Sequence, residues 1–332
     1  MRKCNKKFLG NTILAVVVGG VVLAMIMPAV AAAQSSPIQT PRIGILAWSD
    51  CEWPELLRGL RDLGYKPGET ISIECSKAGG NYEGLPVAAA QLVKLGVDVI
   101  VADAHPTAAA AHDATDTIPI VSILSGDPVG SGLARSLADP GGNLTGLTYY
   151  ATELTAKRLE FLREAMTELN TVDVLANPNL SYLPFETDTK RAAGRLGVEV
   201  RIHQVDNPAG LASAFSAMKA ENAQAVFVLP DLMFAYEARR IAALALDNRL
   251  PTMAWGTWFT KLGCLMAYSA RYSDLSYRLA YYVDRILKGA KPGTLPIEQP
   301  MKFDLSINLK TAKALGLELP KTLLVRAEKI IE

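Results

Sequence analysis

Along most of this chain, short apolar runs alternate with stretches of helical spacing. Ile43–Ala47, Val97–Val101, Ile118–Leu124, Val172–Ala176, Ala225–Leu229 and Thr252–Trp255 are almost wholly apolar, as strands buried on both faces of a parallel sheet are. Between them Leu56, Leu57, Leu60 and Leu63 recur at three- and four-residue steps, and Gly64 follows as a left-handed stop. Leu95-Gly96-Val97 and Leu196-Gly197-Val198 repeat that punctuation. Thr70–Cys75 adds a strand with Ile71, Ile73 and Cys75 on one face, and Asn143–Leu147 adds another.

The rhythm runs from Pro41 to about Thr148 and restarts from Val172 to about Ser269, with five strand candidates in each run. Strand and helix alternating in this way predict an α/β protein of two Rossmann-like, doubly wound lobes with a cleft between them. Ligands of such sheets sit outside the carboxyl ends of the strands. The residues just past each strand therefore carry the functional reading.

The stretch Ser125–Tyr150, SGDPVGSGLARSLADPGGNLTGLTYY, invites a phosphate-loop reading. A dinucleotide fingerprint belongs at the first strand–helix turn, which here is AWSDCEWPE without a glycine, and no Gly-Lys-Ser/Thr loop occurs anywhere. The glycines instead lead into a short predicted helix carrying Leu133 and Leu137. No cofactor is implied. His105, His112 and His203 form no His-Glu-x-x-His motif, so no metal site is predicted either, and no Gly-x-Ser-x-Gly elbow is present.

Arg2, Lys3, Lys6 and Lys7 precede an apolar run, Ile13–Met27, and small residues at Ala29–Ala33. This predicts a cleaved signal peptide over 1–33, a linker over 34–40 and a bacterial periplasmic location. With 34 basic and 33 acidic residues the whole chain carries +1, and loss of the basic leader leaves a weakly acidic protein. Such a balance gives no nucleic-acid face. The remainder holds Cys51, Cys75 and Cys264. Cys51 and Cys75 end neighbouring strands in a sheet of order 2-1-3-4-5, so a Cys51–Cys75 disulfide is expected, with Cys264 reduced.

Longer segments are familiar: PRIGILAW, GLRDLGYKPGETISIE, LVKLGVDVIVA, IPIVSILSGDPVGSGLARSLADPGGNLTGLT, VDRILKGAKPGTLPIEQPMKFDLSINLKTAKALGL and LLVRAEKIIE. In order and over nearly the whole chain after residue 40, the sequence resembles the ABC-transporter substrate-binding proteins of the tryptophan/tyrosine type. The resemblance implies the type I periplasmic binding protein fold, with three crossing strands and a ligand in the cleft. It implies crossings near Leu147–Tyr149, Tyr268–Arg271 and Gln299–Phe303, and a helix Asp274–Leu287 on the first lobe. Residues 41–148 with about 271–298 then form one lobe, and 149–270 with about 299–332 the other. It also implies a monomer that partners the permease and ATPase subunits of an importer, and an aromatic amino acid or related aromatic or apolar acid as ligand.

Strand-end residues supply the candidate contacts. Thr107, opening an alanine-rich helix, either caps it or marks a carboxylate site at the helix N-terminus. Asp127 either takes a ligand ammonium group or holds its own loop. Asp231 and Asp274 stand after later strands. Trp48, Tyr149, Tyr150, Trp255 and Trp258 offer aromatic walls, and Asn177 and Asn179 end the first strand of the second run. The rival reading is a two-lobed amino-acid racemase with Cys51 and Cys264 as its thiols, or another α/β enzyme.

Overall fold

The computed structural model describes residues 40–149, 152–180 and 183–332. The leader, most of the linker and Tyr150 lie outside them. One sheet contains β1 (Arg42–Ala47), β2 (Ser72–Lys77), β3 (Val99–Ala102), β4 (Ile120–Leu124) and β5 (Leu144–Thr148), all parallel in the order β2-β1-β3-β4-β5. The second contains β6 (Thr171–Ala176), β7 (Glu199–Gln204), β8 (Val226–Val228), β9 (Thr252–Ala254), β10 (Met266–Ala270), β11 (Phe303–Asn308) and β12 (Lys329–Ile331). Its order is β12-β11-β10-β9-β8-β6-β7, parallel except where β11 meets β10. The second run thus gains two strands from the tail.

Every residue of β3, β4 and β5 is buried, which is why β3 and β4 read as almost wholly apolar runs. The chain leaves the first sheet after Thr148, returns to it between Ala270 and Tyr272, and leaves again between Glu298 and Phe303. Glu298 is stitched beside β5, donating its N–H to the Gly146 carbonyl at 3.0 Å and accepting from Thr148 N–H at 2.9 Å. On the second visit the helix Tyr272–Leu287 lies on the helix Pro54–Asp62. A Cβ at Gly59 would stand 2.7 Å from Ala280 Cβ and 2.8 Å from the Tyr277 carbonyl, so only glycine permits this approach.

The glycine-rich stretch after β4 is not the helix that its leucines suggest. It is a series of turns. Ser131 N–H and Oγ both bond the Asp127 carbonyl, at 3.1 and 2.7 Å, and Ala134 N–H bonds the Pro128 carbonyl at 2.8 Å. Gly132 sits at φ +80°, and these local bonds compete with helix formation.

Candidate functional site

Residues immediately past β1, β3, β4, β5, β6, β8, β9 and β10 converge on one cavity of about 430 Å³. Its wall is largely aromatic. Tyr149 and Trp255 lie parallel, 4° apart with centroids at 6.1 Å. Trp258 meets Trp255 edge-on at 4.8 Å and Tyr272 at 5.8 Å. Trp53 and Tyr236 also face the space. Strand β9 stops at Ala254, which lets Trp255 turn to the cleft, where its buried indole Nε1 has no hydrogen-bond partner among the described residues. Such walls bury a flat apolar body and favour edge and stacking contacts with it.

Among the carboxyl groups of this wall, Asp103 and Asp231 stand one past each sheet. Asp231 is 5 % exposed. It caps the helix Leu232–Tyr236 by accepting from Phe234 N–H at 2.8 Å. Burial lifts its pKa to about 6, against the opposing pull of the Tyr82 hydroxyl and the Phe234 N–H. Asp103 is likewise raised to about 6 by burial, although Thr107 Oγ1 donates to it at 2.9 Å. Asp50 faces the same space and accepts from Tyr236 Oη at 3.1 Å. The Tyr82–Asp231 and Tyr236–Asp50 bonds both join elements of the two sheets.

Of the strand-end candidates, the structure brings Tyr149, Asp231, Trp255 and Trp258 together on this cavity. The other described candidates face elsewhere. Trp48 is 2 % exposed and packs edge-on against Tyr82 at 4.7 Å. Thr107 is fully buried and spends its hydroxyl on the N–H and carbonyl of Ala104 and on Asp103. At the helix start beside it, Ala104 N–H bonds Thr107 Oγ1 at 2.9 Å, His105 N–H bonds Ser125 Oγ at 3.4 Å, and Pro106 has no N–H. Asp127 binds its own loop through Val129 N–H at 2.9 Å. Asn177 is buried behind Asp231 and accepts from Asn179 N–H at 3.0 Å. Asp274 is exposed and lies 3.8 Å from Arg271. Asp50, Trp53, Asp103, Tyr236 and Tyr272 were not among the candidates. Asp50 and Asp103 carry the same strand-end signal, whereas Tyr236 and Tyr272 belong to helices that only the tertiary fold brings here.

Other sites fare less well. A hollow of about 720 Å³ lies on the far side of Pro106; it is larger, but alanines and loop residues line much of it. Asp173, His203 and Glu221 hold ligand atoms within 4.8 Å of one another, yet Arg201 already occupies Asp173 at 2.6 Å, supplying the cation such a cluster needs. The two-thiol reading has no thiols to use. Cys51 is bonded to Cys75, with Cα atoms 6.0 Å apart, and Cys264 is buried, its pKa pushed up to about 12 by that burial.

The chain is similar to known proteins. The chain is 26% identical over 263 residues to the tyrosine-binding protein of Clostridioides difficile (strain R20291), covering 79% of this chain and 75% of that protein. A conserved domain protein of Vibrio cholerae superposes with a TM-score of 0.82 at 28% identity, covering 88% of this chain and all of the other. The ABC domain from Streptococcus pneumonia in complex with L-Trp also superposes at 0.82, with 24% identity and 88% of this chain covered against 100% of its own. Its likeness extends to the fold, that of the type I periplasmic binding proteins. The model of the ABC transporter substrate binding proteins matches residues 54–331, and with its two doubly wound sheets and the cavity between them the chain belongs to that family.

Proposed function

We propose that this protein is the solute-capture subunit of an ABC importer, acting as a monomer in the periplasm once residues 1–33 are removed, and that it carries an aromatic amino acid to the permease and ATPase. The observation that carries this reading is the aromatic wall, built from both sides of the cleft, with Asp103 and Asp231 set into it. The wall suits a ring and the carboxylates suit an ammonium group; a ligand touching both sheets favours the arrangement in which they meet. An aromatic acid without an ammonium group fits less well, because the described lining contains carboxylates and no lysine or arginine. The tyrosine-binding relative supports the same ligand class.

A thermal-shift screen of residues 34–332 against amino acids, sugars and polyamines tests this reading. An aromatic amino acid at a hundredfold excess over its Kd stabilises by about 2.7 kcal/mol, or about 4 °C for a chain of this size. Shifts given only by sugars or polyamines would refute it.

A further inference from the structure

We infer that the cavity selects for net positive charge, so that an aromatic amine lacking a carboxylate binds more tightly than the matching amino acid. This rests on the capture function proposed above and specifies its ligand further. Asp50, Glu52, Glu55, Asp103 and Asp231 line the space, and the described lining includes no lysine, arginine or histidine. Glu55 is paired with Arg58 at 2.8 Å; the other four carboxylates have no ion pair within the lining.

Besides Arg58, Arg158 is a cation set close behind the wall. It lies past Tyr149 in an adjoining void of only about 10 Å³. Its Nε donates to the Tyr268 carbonyl at 2.8 Å and its Nη2 to the Trp255 carbonyl at 3.5 Å. The guanidinium thus holds the backbone of the wall and offsets one carboxylate at most. At the start of the helix His105–Ala114 the N–H groups of Ala104 and His105 are already bonded and Pro106 has none. A ligand carboxylate would therefore meet neutral donors, the Ser125 hydroxyl and the Trp255 indole N–H, among like charges. An ammonium group meets the reverse situation: two carboxylates from opposite sheets, and ring faces that attract cations. Because those carboxylates come from both sheets, binding and closure of the cleft favour each other.

Calorimetric titration at pH 7 with three ligands sharing one ring tests the inference: tryptamine, L-tryptophan and indole-3-propionate. Tryptamine is expected to bind at least about tenfold tighter than L-tryptophan, and indole-3-propionate weakest. L-Tryptophan binding as tightly as tryptamine, or tighter, overturns the inference and leaves the capture function standing. If none of the three binds, both fall. Asp103→Asn and Asp231→Asn should each shrink the tryptamine-to-tryptophan ratio severalfold. Asparagine retains the carbonyl that accepts the capping N–H, so a purely structural role would weaken both ligands together and leave the ratio unchanged, which counts against the inference.

Discussion

Replacing both Cys51 and Cys75 with serine should destabilise the protein and loosen one side of its cavity. The bridge spans 24 residues of sequence. In the chain-entropy model a loop of that length removes about 12 cal/mol/K from the unfolded chain, or about 3.4 kcal/mol at 25 °C. Spread over the unfolding entropy of about 290 residues, this lowers Tm by about 5 °C. The bridge also anchors the segment between β1 and the helix Pro54–Asp62, from which Asp50, Glu52 and Trp53 reach the cavity, so ligand affinity should fall in parallel. Urea unfolding of residues 34–332 measures the loss, and thiol titration of the denatured, unreduced protein checks its cause. One titrating thiol is expected, from Cys264. Three thiols, or a loss below about 1 kcal/mol, would refute the reasoning.

Gly59→Ala forces a methyl to within 2.7 Å of Ala280 Cβ and should cost about 1–3 kcal/mol, read as a lower urea midpoint with an unchanged slope; no loss would mean that the two helices separate freely. Asp231 is raised to about 6 in the folded protein from an ordinary 3.8, so the native state holds its proton where the unfolded chain has released it, and stability falls as pH rises through about 4 to 6. Asp231→Asn removes that dependence, and its stability relative to wild type should therefore improve by about 2.4 kcal/mol between pH 4 and pH 7; a pH-independent difference would contradict the assignment. Tyr82→Phe with Tyr236→Phe deletes the two hydroxyl bonds across the cleft, each worth about 1 kcal/mol. The ligand-free double variant should show a larger radius of gyration in solution scattering, and an unchanged radius would show that other contacts hold the lobes.

The fold was legible wherever burial is complete. β1, β3 and β4 read as almost wholly apolar runs, and the first sheet has the order 2-1-3-4-5 used in placing the cysteines. β7 did not read that way, because it is an edge strand whose residues are half-exposed or exposed, and its polar alternation hides it. The site was legible in part, through the rule that ligands sit past the strand ends. Tyr149, Asp231 and Trp255 obey it directly. Trp48 fails because the chain turns it inward onto Tyr82, and no strand pattern states which way its last residue faces. Thr107 and Asp127 do not line the cavity for a chemical reason: short polar side chains beside a turn satisfy their own backbone first. Tyr272 could not be assigned, since its position depends on a helix returning from the second sheet to the first.

The central claim is that the aromatic wall holds the ligand. Trp258 tests it with little risk to the fold, being half-buried and meeting Trp255 and Tyr272 by its edges. Calorimetric titration of wild type and Trp258→Ala with L-tryptophan and tryptamine, alongside circular dichroism to verify folding, measures its part. One binding site per chain is expected in the wild type, and at least a tenfold weaker Kd in the folded variant, about 1.4 kcal/mol. Equal affinity in wild type and variant would contradict it.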